Sequence, residues 1–125
     1  MRGLIHVYKE GRMHKITRSP DIKLENLKRD IPDIEGNAAA KHFDLAGDKS
    51  FGAGILEVKG YTTYPFDAEN YDEVLYVIDG TISLVENGEE KILNKGDILW
   101  TPRGNHSQVI VKKYLKAFYV IRPFL

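Results

Sequence analysis

From Ser50 onward, hydrophobic and polar positions fall into short runs bounded by turn residues, the pattern of β-strands. Residues 51–59 alternate, with Gly54, Leu56 and Val58 on one side, Ile55, Glu57 and Lys59 on the other, and Gly60 at the end. Residues 72–78 read as a strong strand closed by Asp79-Gly80, a dipeptide favoured in tight hairpins. A strand over 81–85 follows, then a second turn at Glu86-Asn87-Gly88. Further short strands fall at 91–93, 97–101, 107–111 and 114–121. Roughly seven strands at roughly ten-residue spacing, with no helix between them, predict an all-β antiparallel sandwich or barrel.

Residues 1–48 have a different texture. They are rich in charge, hold His6, His14 and His42, and carry turn formers at Ser19-Pro20, Ile31-Pro32-Asp33 and Glu35-Gly36-Asn37. A short helix is expected within 20–30, with Ser19 as N-cap and Pro20 in the first position. Its apolar set, Ile22, Leu24, Leu27 and Ile31, matches neither period cleanly. No linker composition sets this part off. It is expected to drape over a main domain of residues 49–125 or to supply edge strands.

Composition narrows the classes. With 125 residues, the chain is long enough for one domain with a real core. It is 42% hydrophobic and 29% charged, an ordinary globular balance. No apolar run approaches the ~20 residues of a membrane span. Charges interleave with apolar residues over 1–15, so no signal-peptide block is expected and a cytoplasmic location follows. The absence of cysteine removes disulfides and thiolate chemistry, and 18 basic against 18 acidic residues argue against a nucleic-acid partner.

Two stretches carry more specific information. One runs from Gly60 through Asp67, Glu69, Tyr71 and Glu73 to Gly80; the other is Gly96-Asp97-Ile-Leu-Trp-Thr-Pro102-Arg103-Gly104-Asn-His106-Ser107. Together they resemble the two signature motifs of the cupin superfamily. Glu73 and Gly80 stand where the first motif has its glutamate and closing glycine, while Gly96, Pro102 and Gly104 fit the second. The resemblance covers about 50–122 and implies a jelly-roll barrel, usually a homodimer that buries the second apolar face of the strand beginning at Glu73. The superfamily's metal-binding histidines are missing. Asp67 and Glu69, six and four residues before Glu73, stand where its first two histidines would be, and Ser107 stands where the last would be, with His106 one residue early.

Histidine loss, the Tyr71-Asp72-Glu73 start and the Tyr119-Val120-Ile121 end are similar to one branch, the ethanolamine-utilisation protein Q family. That resemblance implies a role in bacterial ethanolamine catabolism, association with protein-shelled microcompartments and an acetate kinase activity. The aminohydrolase-like cupins of ureidoglycine metabolism share parts of the pattern.

Strand alternation frames the candidate site. If Glu73 points into the barrel and no bulge intervenes, Asp67, Glu69, Tyr71, Leu75 and Val77 point in as well. Three carboxylates and a phenol would then line the mouth, an oxygen-rich set suited to Mg²⁺, Ca²⁺ or Mn²⁺. The alternative leaves Asp67 and Glu69 solvated near a loop, with Glu73 hydrogen-bonded to Tyr71 or to backbone. Candidate metal ligands are therefore Asp67, Glu69, Glu73 and, through a distorted loop, His106. Glu73, Tyr71 and Arg103 are the candidate catalytic residues, with Arg103 placed to meet an anionic group or else solvated. Ser107 lacks a base on its own face for nucleophilic work. Tyr61, Tyr64, Phe66, Trp100 and Tyr119 either wall a pocket or fill the core. Gly52-Ala53-Gly54 is no phosphate loop, so a kinase reading rests on the family resemblance alone. Three functions stay open: family-type phosphotransfer with a divalent cation, a non-catalytic module binding a small polar or anionic molecule, and another cupin chemistry such as isomerisation or aminohydrolysis.

Overall fold

The computed structural model describes residues 13–124, arranged as ten strands in two facing antiparallel sheets. The strands are β1 (Glu25–Asn26), β2 (Ala38–Asp44), β3 (Gly52–Lys59), β4 (Thr62–Ala68), β5 (Asp72–Gly80), β6 (Ile82–Glu86), β7 (Glu89–Leu93), β8 (Ile98–Thr101), β9 (Asn105–Val111) and β10 (Tyr114–Arg122). One sheet has the order β1-β2-β3-β10-β5-β8, and the other β4-β9-β6-β7. The crossing connections make a jelly roll, in which inward residues of both sheets share one core. No helix among the described residues is long and apolar enough to cross a membrane.

Alternation explains the layers. On β3, Gly54, Leu56 and Val58 are buried while Lys59 is exposed, as the sequence pattern predicts. Val58, Val77, Val109, Val111 and Leu115 are almost wholly shielded and anchor the core from four strands. β-Branched side chains suit this pleated, half-buried surface. The outer face of the larger sheet is also apolar: Val74, Tyr76, Ile98, Trp100 and Phe118 are all substantially exposed. Register sets Val74 opposite Trp100, and Tyr76 opposite both Ile98 and Phe118, so these side chains form one patch.

Two local expectations need correction. The helix over 20–30 is absent; single 3₁₀ turns occupy Ser19–Asp21 and Leu27–Arg29, separated by β1. An apolar set without a 3.6-residue period has no stripe to bury, so no α-helix is stabilised there. Asp79-Gly80 does not close a hairpin, because β5 and β6 belong to different sheets. Gly80, at φ 80°, instead turns the chain across the barrel, where a Cβ would strike the Tyr114 carbonyl. The expected turn at Glu86-Asn87-Gly88 does close a tight hairpin, β6–β7, where Asn87 and Gly88 both take positive φ. Residues 62–68, to which the strand pattern assigns no element, form β4 of the smaller sheet. His6 lies outside the described residues.

The segment before residue 49 supplies β1 and β2, with β2 pairing along the whole of β3's first seven residues. Leu27 and Ile31 from this segment pack against the core.

Candidate functional site

A cavity of about 480 Å³ lies between the sheets. Leu56, Leu75, Leu84 and Val109 form its apolar body, and Leu27 and Ile31 close one side. The polar lining groups are Glu73 from β5, Tyr64 from β4, Tyr71 from the β4–β5 corner, Tyr119 from β10, His42 from β2 and Asp30. Apolar walls with a few convergent polar groups are the composition of a small-molecule pocket.

Glu73 is inward by alternation with Leu75 and Val77, and only 8% exposed. Its neighbours across the ladder are Thr101 on β8 and Ile121 on β10, neither charged. Burial is the whole reason its carboxyl is pushed from the ordinary 4.5 up to about 8; no hydrogen bond or cation among the described residues favours the ionised form. Glu73 is therefore largely protonated at neutral pH.

Three phenols surround it. Tyr71 is pushed up to about 12, first by burial and then by the charges of Glu73 and Asp67. Tyr64 and Tyr119 are pushed up further, again by burial first and by Glu73 next. All three keep their protons at neutral pH. The Tyr119 hydroxyl lies 3.1 Å from His42 Nδ1, a hydrogen bond whose direction follows the imidazole tautomer. Gly54, directly across from Tyr119, leaves room for its ring: a Cβ there would collide with the ring and approach the Lys41 carbonyl to 2.7 Å.

The other sequence candidates stand elsewhere. Alternation does not carry from β4 into β5, because the chain changes sheets between them at Glu69-Asn70-Tyr71. On β4 the buried positions are Thr62, Tyr64 and Ala68, so Asp67 points out. Asp67 sits directly opposite His106 on β9, and the His106 ring is 2.8 Å from Asp67 through Nδ1 and 3.3 Å from Glu69 through Nε2. The hydrogen bond to Asp67 raises the His106 pKa above its ordinary value. This trio is solvent-facing, more than half exposed at each member. Arg103 occupies the β8–β9 turn outside the cavity; its backbone N–H donates to Asp72 at 2.9 Å, and its guanidinium shares that carboxylate with Arg122 at 3.6 and 3.3 Å.

Asp67, Glu69 and His106 therefore come together without Glu73, and Tyr71 and Glu73 come together without Arg103. Among the described residues no group of three or more metal-ligating side chains is placed to hold an ion. Both His106 nitrogens are already engaged by carboxylates, so these residues do not fit a resident divalent cation. Of the aromatic candidates, Tyr64, Phe66 and Tyr119 line the cavity, whereas Tyr61 and Trp100 are exposed. Sequence reasoning missed His42, Asp30, Leu27 and Ile31 as lining groups. The Thr62, Tyr64, Phe66 alternation was the available signal for β4, but nothing local announces that residues from 27–31 reach the barrel.

The two facing sheets with the cavity between them form a jelly-roll barrel, a fold shared with solved cupin domains. The family model for ethanolamine utilisation protein EutQ matches residues 5–124. The chain belongs to the EutQ family. It is 35% identical over 81 residues to acetate kinase EutQ of Clostridioides difficile strain 630, a match covering 65% of this chain and 50% of that protein. The chain thus spans about half the length of the curated relative it matches. The solved Clostridium difficile EutQ protein superposes with a TM-score of 0.71 at 29% identity, covering 87% of this chain and 80% of that one. An ethanolamine utilisation protein Q from Salmonella typhimurium LT2 gives 0.75 at 22%, covering 94% and 90%, and shares the fold.

Proposed function

We propose that this EutQ-family chain is a small-molecule-binding cupin serving ethanolamine utilisation, with the barrel cavity as its site and Glu73 as the protonatable anchor. The observation that carries this reading is a carboxyl only 8% exposed, facing an apolar cavity beside three phenols. A buried group titrating near neutral pH can give or take a proton at little cost, which suits either anchoring a ligand or general acid–base work. The test is methyl-resolved NMR against a panel of small amines, alcohols and carboxylic acids. Saturable shifts at Leu75, Leu84 and Val109 support the reading, and shifts confined to the outer surface reject it.

Phosphotransfer is a second reading, favoured by the name of the curated relative, acetate kinase EutQ. Neither Lys nor Arg lines the cavity among the described residues, so nucleotide phosphates would have to meet cations outside it, with Arg103 and Arg122 as the candidates. Any Mg²⁺ would then arrive with the nucleotide, since such ions are commonly held by substrate phosphates. An assay with ATP, acetate and Mg²⁺ decides: acetyl phosphate above background that falls in Arg103→Ala supports the reading, and background levels dismiss it.

We also propose that a second copy covers the apolar patch of Val74, Tyr76, Ile98, Trp100 and Phe118, as the superfamily resemblance implies. Sedimentation velocity should give a dimer for the native chain and a monomer for Trp100→Glu.

A further inference from the structure

We propose that the barrel cavity selects a small organic ammonium, with Glu73 as its counter-charge and Tyr64, Tyr71 and Tyr119 supplying ring faces and hydroxyl oxygens. This inference rests on the reading of the cavity as a binding site and deepens it.

The charge inventory carries the argument. The lining holds two carboxyls, Glu73 deep within and Asp30 at its N-terminal wall, together with the imidazole of His42, and no Lys or Arg accompanies them among the described residues. The groups facing Glu73 are the phenols of Tyr64, Tyr71 and Tyr119 from β4, the β4–β5 corner and β10. β8 contributes Thr101 and Leu99 opposite Glu73 and Leu75, neither of which titrates. His42 is tied to the Tyr119 hydroxyl at 3.1 Å, and Asp67 acts on Tyr71 from outside. A carboxylate buried this way lacks a cation to favour its ionised form.

An ammonium supplies that cation. It is attracted to the negative faces of aromatic rings, and its N–H groups find phenol oxygens as acceptors. Leu75, Leu84 and Val109 accept the methylenes of a short carbon chain. An anionic ligand fares worse: it sets a second negative group beside Glu73 in desolvated space, so one of the two must stay protonated.

The pH dependence separates these cases. Glu73 titrates at about 8, so below that value its ionised fraction rises about tenfold per pH unit, and affinity for a permanent cation rises with it. Affinity for a carboxylate is flat below that value and falls above it.

The experiment titrates the protein with tetramethylammonium, 2-aminoethanol, tert-butanol and acetate at pH 6 to 9, following the methyls of Leu75, Leu84 and Val109. The two cations should bind with affinity rising about tenfold per unit up to pH 7 and levelling above 8. Glu73→Gln should abolish that slope. Tyr71→Leu, at a site partly open to solvent, should weaken tetramethylammonium about threefold while keeping the slope. Cavity binding of acetate or tert-butanol without the cations would overturn the ammonium inference while leaving the binding-site reading intact. Cavity methyls that respond to no probe would overturn both.

Discussion

Replacing Glu73 with Gln removes a buried titration without removing its shape. The wild-type carboxyl has an ordinary value of 4.5 and about 8 in the folded chain. Because the folded value is the higher one, the neutral form is the one the fold tolerates. Its cost to stability is nil below pH 4.5, grows as pH rises, and stops growing once pH passes about 8. At about 1.4 kcal/mol per pH unit, wild type should lose about 3 kcal/mol between pH 5 and pH 7.5 that Glu73→Gln does not lose. Glu73 is almost fully enclosed, so solvent screening discounts this little. All other titrations are common to both proteins and cancel in the comparison. The assay is urea unfolding of both chains at the two pH values. With a urea dependence of about 1–3 kcal/mol per molar, the midpoint of the variant should gain about 1–3 M on wild type between them. A stability difference that stays constant from pH 5 to 7.5 would refute the reasoning, because it would mean that Glu73 titrates alike in both states.

Other outcomes follow from the same contacts. Gly54→Ala should push Tyr119 off β3 and cost about 1–3 kcal/mol, read by thermal unfolding and by loss of the His42–Tyr119 hydrogen bond. Leu115→Ala empties a fully shielded site and should cost about 2–5 kcal/mol in chemical unfolding. Asp67→Asn should lower the His106 titration midpoint toward its ordinary 6.5, measured on the imidazole resonances. The favourable contribution of that pair is present below 6.5 and fades as pH rises through the raised folded value, so wild type and Asp67→Asn should converge in alkaline solution.

The barrel strands were legible because each half-buried strand writes its own period-two pattern; Leu56, Val58, Leu75 and Val77 are plain examples. Glu73 was legible as the inward carboxyl for the same reason. What failed was the extension of that alternation backward through Tyr71 to Glu69 and Asp67. Parity is a property of one strand, and a change of sheet at residues 69–71 resets it. The Asp67–His106 pair could not be read because it depends on the β4–β9 register, a contact between residues far apart in sequence. Asp79-Gly80 misled for a related reason: a turn dipeptide specifies local φ and ψ, not whether the next strand returns to the same sheet. The closing of the cavity by Leu27 and Ile31 likewise follows from tertiary packing, where local propensity is silent.

The central claim is that Glu73 faces the cavity as a desolvated, uncompensated acid, and the most direct test is a ¹³C-detected pH titration of its side-chain carboxyl. The account predicts a midpoint of about 8, with the group protonated at pH 7. A midpoint near the ordinary 4.5 would contradict it.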